Sequence, residues 1–222
     1  MGSRIIGIHS GRKGKTSESA LQYVLEHTGE EYKIFALRDL PLETCDACLG
    51  CLTTHRCVKN DGVNELLDEL CEASALVFAA PEYWDGVHGK ARAFWERVCF
   101  MGRHNGVFPL QHVSGVIIGV AGHGDAAAAI RDLSVFFEDA RIDLVDAVDV
   151  QGSYACFKCG FAQACEVAGV WDIFPQDAEI LPQTVPGMAN QDPHLCEQER
   201  RGDIHLRLKE AAKRLRSELF VK

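Results

Sequence analysis

Five short apolar runs, each separated from the next by a stretch with helical spacing, restrict this chain to a small set of folds. The runs are Arg4 to His9 (RIIGIH), Tyr32 to Leu37 (YKIFAL), Ala75 to Ala80 (ALVFAA), Val113 to Ala121 (VSGVIIGVA) and Ile142 to Val150. Between them, apolar residues recur at helical intervals through Leu21, Val24 and Leu25, along the acidic amphipathic stretch Asp61 to Glu72, from His88 to Phe100, and on through Phe137. Strands that alternate with helices return in parallel through right-handed crossovers. The expected class is therefore α/β, a five-stranded parallel sheet with helices on both faces.

Composition sets the outer limits. At 222 residues, with 47% hydrophobic and 25% charged residues, the chain is expected to fold as one globular domain with an elaboration. The 23 Lys and Arg against 32 Asp and Glu give a net charge of −9, which argues against nucleic acid as a partner. The basic cluster Arg200, Arg201, Arg207, Lys209, Lys213, Arg214 and Arg216 alternates with Glu199, Asp203, Glu210 and Glu218, as on the solvated face of a last helix. No run reaches the ~18 apolar residues of a membrane span and no signal-peptide pattern opens the chain, so the expectation is a cytoplasmic protein with no membrane partner. Ile6 stands where myristoylation needs Ser or Thr. In a reducing compartment, ten cysteines point to metal binding or redox chemistry rather than disulfides.

Five strands suit a flavodoxin-like order, in which a ligand sits outside the carboxyl ends of the strands where strand order switches. Three loops fall at those ends. The first, Ser10-Gly11-Arg12-Lys13-Gly14-Lys15-Thr16-Ser17, offers the hydroxyls of Ser10, Thr16 and Ser17, the charges of Arg12 and Lys15, and the amides at a helix start, a donor set suited to an anion. It is not a Walker loop, because His9 stands five positions before Gly14 where a glycine is required. Gly122 and Gly124 belong to no G-x-G-x-x-G, so a dinucleotide fingerprint is missing too.

Taken together, Ser10-x-Arg12-x-Gly14-x-Thr16, then Pro81-Glu82-Tyr83-Trp84 with Gly89-Lys90-Ala91 and Phe94 beyond, and Gly122-His123-Gly124 resemble the three FMN-binding loops of the NADPH-dependent FMN reductase and flavodoxin-like superfamily. The resemblance covers roughly residues 4 to 150. It implies that Ser10, Arg12, Lys15, Thr16 and Ser17 hold the FMN phosphate. Pro81, Glu82, Tyr83, Trp84 and Gly86, with Ala121, Gly122, His123 and Gly124, would hold the isoalloxazine ring, on which Tyr83 and Trp84 can pack. Lys15, Glu82 and Trp84 depart from the commoner residues of that pattern. The histidines His9, His88, His104, His112, His123 and His205 are scattered and expected to be structural, His123 standing apart because it lies in the third loop. On this division residues 1–150 form the FMN-binding domain, with a cysteine-rich loop at 41–60. Residues 151–222 add an irregular cysteine-containing extension and a C-terminal helix to the same domain.

Cys45, Cys48, Cys51 and Cys57 follow C-x2-C-x2-C-x5-C. Three thiolates at two-residue intervals with a fourth close behind favour a [4Fe-4S] cubane. Zinc more often takes two C-x-x-C knuckles set a dozen or more residues apart, and buried or regulatory thiols are the remaining alternative. An FMN fold with this motif after the second strand resembles the iron-sulfur flavoproteins of anaerobic bacteria and archaea. That resemblance implies electron transfer between cluster and flavin, a ferredoxin-like or other redox partner or a small-molecule acceptor, and a homodimer or homotetramer. His55, Arg56 and Lys59 flank the last cysteine and would favour the more negative, reduced cluster. Cys156, Cys159 and Cys165, with Cys196 or His194 as a fourth, form a possible second site for a cluster or zinc, or else free thiols. Cys71 and Cys99 fall on helical stretches as core residues. Two other functions fit the sequence: an NAD(P)H-dependent FMN or quinone reductase with structural zinc or no metal, and a non-enzymatic redox or iron sensor.

Overall fold

The computed structural model describes residues 4–103, 106–122, 125–152, 161, 164–167 and 198–220. Cys156, Cys159, Cys196, His194, His123, Gly124 and His104 lie outside the described residues. The chain runs β1 (Arg4–His9), α1 (Thr16–Thr28), β2 (Glu31–Ala36), a single 3-10 turn (Leu37–Asp39), α2 (Val63–Cys71), β3 (Ala75–Pro81), α3 (Gly89–Arg103), β4 (Ser114–Ala121), α4 (Ala127–Asp139), β5 (Asp143–Gln151) and α5 (Gln198–Leu219). The strands pair in the order β2-β1-β3-β4-β5, every pair parallel, which is the flavodoxin-like order.

The burial of each strand follows its place. Central β3 and β4 are buried along their whole length, which is why both read as continuous apolar runs, while edge strands β2 and β5 keep exposed residues such as Lys33 and Asp143. Successive side chains in a strand face opposite ways. On one face Ile6, Ile8 and Phe78 pack beneath α2, α3 and α4 with Phe94, Trp95 and Phe137; on the other Ile5, Val77 and Ile118 pack beneath α1 and α5 with Leu21, Leu25, Leu208 and Leu215. Trp95 is wholly buried, its ring 5.3 Å from Phe78, 5.3 Å from Phe94 and 5.2 Å from Phe137. Truncating such a residue costs about 3–5 kcal/mol.

Helix α2 starts at Val63, two residues later than the amphipathic pattern predicts. Gly62 takes a left-handed φ of 86°, and the Asp61 carboxylate is engaged elsewhere, as described below. Cys99 is buried as expected, and Cys71 is half-buried at the end of α2. Arg207, Lys209, Lys213, Arg214 and Arg216 of α5 are exposed, so this basic stretch is a solvated face, with Arg214 3.1 Å from Asp146. Among the described residues no helix is long and apolar enough to cross a membrane.

Candidate functional site

The three glycine-bearing or aromatic loops leave β1, β3 and β4 at one edge of the sheet, and backbone bonds tie them together. Ser10 N–H donates to Ala79 O at 3.1 Å, and Glu82 N–H donates to Val120 O at 2.8 Å. Gly152 N–H donates to Ala121 O at 2.6 Å, and the Gln151 amide reaches Gly122 O at 3.3 Å. Strand order switches between β1 and β3, so the crevice sits where an open α/β sheet binds ligands.

In the first loop, a Cβ on Gly11 would stand 2.7 Å from Ser17 Oγ, so the first turn of α1 packs on a position that only glycine fits. Gly14 supplies the left-handed turn, with φ 66°, and its N–H donates to the Glu18 carboxylate. The N-cap of α1 is Lys15, which has no acceptor to offer, so no side chain caps that helix start. Thr16 and Ser17 are buried, Lys15 is half-buried and Arg12 is exposed. Ser10 Oγ is buried and has no hydrogen-bond partner among the described residues. A phosphate at this loop would satisfy that hydroxyl and the first-turn amides together, so the residues fit an FMN phosphate. His9, just before the loop, is buried, and burial lowers its pKa, although Glu18 and Asp39 pull it upward.

The second loop is a tight hairpin. Tyr83 N–H donates to Gly86 O at 2.9 Å, Glu82 bridges to Val87, and Trp84 and Asp85 both have left-handed φ angles of 55° and 56°. Two such residues in succession make a type I′ turn, which normally takes Asn-Gly, so a bulky Trp here is strained. The turn leaves Trp84 fully exposed, and Tyr83, half-exposed, stands edge-on to His88 at 5.1 Å. The Glu82 carboxylate turns the other way and accepts from Ala129 N–H in the first turn of α4 at 3.1 Å. At the start of α4, Asp149 of β5 accepts from Ala126 N–H at 2.9 Å and Asp125 of the third loop accepts from Ala127 N–H at 3.0 Å. Pro81, Ala121 and Gly122 are the positions that the sheet itself brings to the crevice, whereas the Glu82 carboxylate is engaged by α4 and Trp84 is exposed on the turn.

The cysteine loop, residues 40–62, starts from the same edge and then runs down the side of the molecule along α2 and α3. Cys45, Cys48, Cys51 and Cys57 all line one open concavity with Asp46, Lys59 and Arg97. Side chains from outside the loop hold it. Lys90 Nζ donates to the carbonyls of Leu37, Arg38 and Leu40. Asn64 takes both backbone groups of Cys57, each at 2.9 Å. Arg97 forms a two-pronged pair with Asp61 and also donates to Glu43 O at 3.3 Å, while Asp61 accepts Glu43 N–H at 3.0 Å. Residues 43 and 61, on either side of all four cysteines, are thereby stapled together.

Arg97 is the functional residue that the sequence pattern concealed. It is 1% exposed and lies on the same face of α3 as Lys90, Phe94 and Met101. A charge among apolar residues at helical spacing was the available signal. Burial opposes its charge, but the pair with Asp61, with the nearby Cys57 adding to it, outweighs that and keeps it protonated. Burial likewise pushes the Asp61 carboxyl upward, yet Arg97 and the Glu43 amide hold it below the usual carboxylate range. The three charges expected near the last cysteine are engaged otherwise: Arg56 pairs with Asp68, Lys59 with Glu43 and Asp46, and His55 with Met101 O. Burial raises the Cys51 thiol above its ordinary pKa; a backbone hydrogen bond opposes this, and the sulfurs of Cys57, Cys45 and Cys48 push it higher still.

Among the described residues no three His, Cys, Asp or Glu side chains converge on a position that could hold a single metal ion. A zinc ion, with Zn–S about 2.3 Å, needs its sulfurs gathered tightly around one point, whereas a cubane spreads its ligands over four corners. Four thiols around one concavity, beside a buried guanidinium whose Nε has no partner among the described residues, fit the larger, anionic group. Of the second cysteine group only Cys165 is described, and it is half-buried.

A family model for NADPH-dependent FMN reductase matches residues 3–155. An iron-sulfur flavoprotein of Archaeoglobus fulgidus is 32% identical over 96 residues, which is 42% of this chain and 49% of that protein. Another, from Methanosarcina thermophila, is 28% identical over 123 residues, 54% of this chain and 63% of its own length. The chain thus spans 49% and 63% of these two curated relatives, about half to two thirds. An oxidoreductase structure from Corynebacterium diphtheriae superposes with a TM-score of 0.57 at 13% identity, covering 100% of both chains, a likeness of fold.

Proposed function

The chain belongs to the NADPH-dependent FMN reductase family, and from that premise we propose that it is an FMN-dependent oxidoreductase whose flavin exchanges electrons with a [4Fe-4S] cluster on Cys45, Cys48, Cys51 and Cys57. The observation that carries this reading is the shared concavity, in which four thiols from one short segment meet a buried cation beside a flavodoxin-like sheet. The names of the curated relatives support it.

When bound, FMN supplies two-electron chemistry and a cubane supplies one-electron steps. The chain's own residues do the holding. Ser10, Thr16 and Ser17 donate to the phosphate with the first-turn amides of α1, and Arg12 and Lys15 offset its charge. Pro81, Ala121 and Gly122 present backbone at the ends of β3 and β4 where the ring would lie, with Tyr83 at the rim. The staple formed by Asp61, Arg97 and Glu43 closes the base of the cysteine loop, and Asn64 fixes the backbone at Cys57.

Eight residues of α3, about 12 Å of helix, separate the start of α3 from Arg97. The concavity therefore opens on the flank of the subunit rather than over its own flavin loops. A homodimer or homotetramer in which one subunit's cysteine loop approaches its neighbour's flavin is part of the reading, as is a ferredoxin-like partner or small-molecule acceptor.

The test is the content of iron, acid-labile sulfide, zinc and FMN in protein purified without oxygen. About four iron and one flavin per chain are expected; about eight iron would add a second cluster on the Cys156, Cys159, Cys165 and Cys196 group. A second reading, a metal-free NAD(P)H-dependent FMN or quinone reductase, is favoured by the lack of convergence on a single-ion site among the described residues. It requires flavin without iron and direct reduction of that flavin by NAD(P)H.

A further inference from the structure

A buried ion pair that staples a loop is common framework, yet Arg97 has two features that framework does not need. Its guanidinium lines the concavity of the four cysteines, and its Nε–H is buried without a partner among the described residues. Leaving an N–H unsatisfied in a buried place is costly, and a bound acceptor would recover that cost. The acceptors at hand are sulfurs: Cys57, Cys45, Cys48 and Cys51 line the same concavity as Arg97.

Four thiolates around an iron-sulfide core leave a net negative charge, and each electron taken up makes it more negative. Hydrogen bonds to the sulfurs and nearby positive charge favour that reduced form, more strongly the less water intervenes. Arg56 is half-exposed and paired with Asp68, so its field is cancelled and screened, and Lys59, which also lines the concavity, is shared between two carboxylates, Glu43 and Asp46, that offset its charge. Arg97 carries Asp61 as its counter-ion, which makes the pair a dipole with the guanidinium on the cysteine side.

We infer that the Arg97–Asp61 pair is the positioning element that sets the reduction potential of the group held by Cys45, Cys48, Cys51 and Cys57, Arg97 raising the potential through N–H donation and charge and Asp61 moderating it. This rests on the cluster reading of the cysteine loop. A purely structural staple would make loss of either partner act alike. An electrostatic role makes them act oppositely.

The experiment is a potentiometric titration, followed by electron paramagnetic resonance under argon, of the wild type, Arg97→Gln, Arg97→Lys and Asp61→Asn, with iron and FMN counted in each. The amide of Asp61→Asn still accepts the Glu43 N–H. The expected result is a more negative potential in Arg97→Gln, a smaller shift of the same sign in Arg97→Lys, and a less negative potential in Asp61→Asn. If Arg97→Gln loses its iron, opposite shifts in Arg97→Lys and Asp61→Asn support the assignment on their own. Potentials that do not move, shifts of one sign throughout, or equal loss of iron from Arg97→Gln and Asp61→Asn overturn it. Wild-type protein that holds FMN but no iron overturns both this assignment and the cluster reading, whereas iron in the wild type with unmoved potentials ends the assignment alone.

Discussion

The phosphate loop after β1 and the cysteine loop after β2 leave the same edge of the sheet and are held in opposite ways. The first is six residues between a strand end and a helix start, and backbone fixes it: Ser10 N–H on Ala79 O, the close approach of Ser17 to Gly11, the left-handed turn at Gly14. The second runs from 40 to 62 without a long regular element, and side chains far along the sequence fix it: Asn64 on α2, and Lys90 and Arg97 on α3. A short loop between regular elements inherits its shape from them. A long one must be pinned by its neighbours, and its stability lies in a few buried polar contacts.

Breaking the staple has the largest expected effect. Asp61→Ala leaves the Arg97 guanidinium buried without its partner, a change that costs about 3–5 kcal/mol. A urea midpoint that falls accordingly, with faster thiol labelling of the cysteine loop, is the expected outcome; an unaltered midpoint would mean that the pair does not hold the loop. In the phosphate loop the expected loss is in binding, not stability. Ser10→Ala removes a hydroxyl with no partner in the described protein, so the apoprotein should melt as before, while FMN binds about tenfold more weakly, a loss of about 1.4 kcal/mol. Fluorescence titration of the apoprotein with FMN measures it.

Much of the sheet and the phosphate loop was legible in the sequence because their determinants are local: the buried runs of β3 and β4, the hydroxyls and glycines between β1 and α1. The four cysteines were legible as a group for the same reason. What holds them was not. His55, Arg56 and Lys59 looked like their electrostatic partners by adjacency; Asp68 and Met101 engage Arg56 and His55, Lys59 lines the concavity but is shared with Glu43 and Asp46, and a further cation comes from position 97. The second loop is a different case. Tyr83 and Trp84 read as ring-packing aromatics from their residue type, whereas the left-handed turn at Trp84 and Asp85 that leaves the indole exposed, and the bond from Ala129 N–H to the Glu82 carboxylate, depend on contacts the local sequence does not show.

Acid separates the two loops by the smallest effect. Burial depresses the pKa of His9 below its unfolded value, so between those values the unfolded chain binds the extra proton and stability falls as pH drops through the ordinary histidine range near 6.5. Asp61, held below the usual carboxylate range, keeps the cysteine-loop staple charged until more acidic pH. Melting of the apoprotein from pH 7 to 5 should decline modestly, less so in His9→Gln, and the protection of the cysteine-loop thiols, taken as their labelling rate relative to the urea-unfolded chain at the same pH, should stay constant over that range. A staple that opens in step with the decline would contradict the difference.

If the two loops hold two different redox groups independently, Cys48→Ala separates them. Iron and FMN are counted per chain in this variant and in wild type, both purified without oxygen. The substitution should remove the iron and leave about one FMN per chain, with the phosphate loop undisturbed. Iron content equal to that of the wild type, or flavin lost together with the iron, would contradict it.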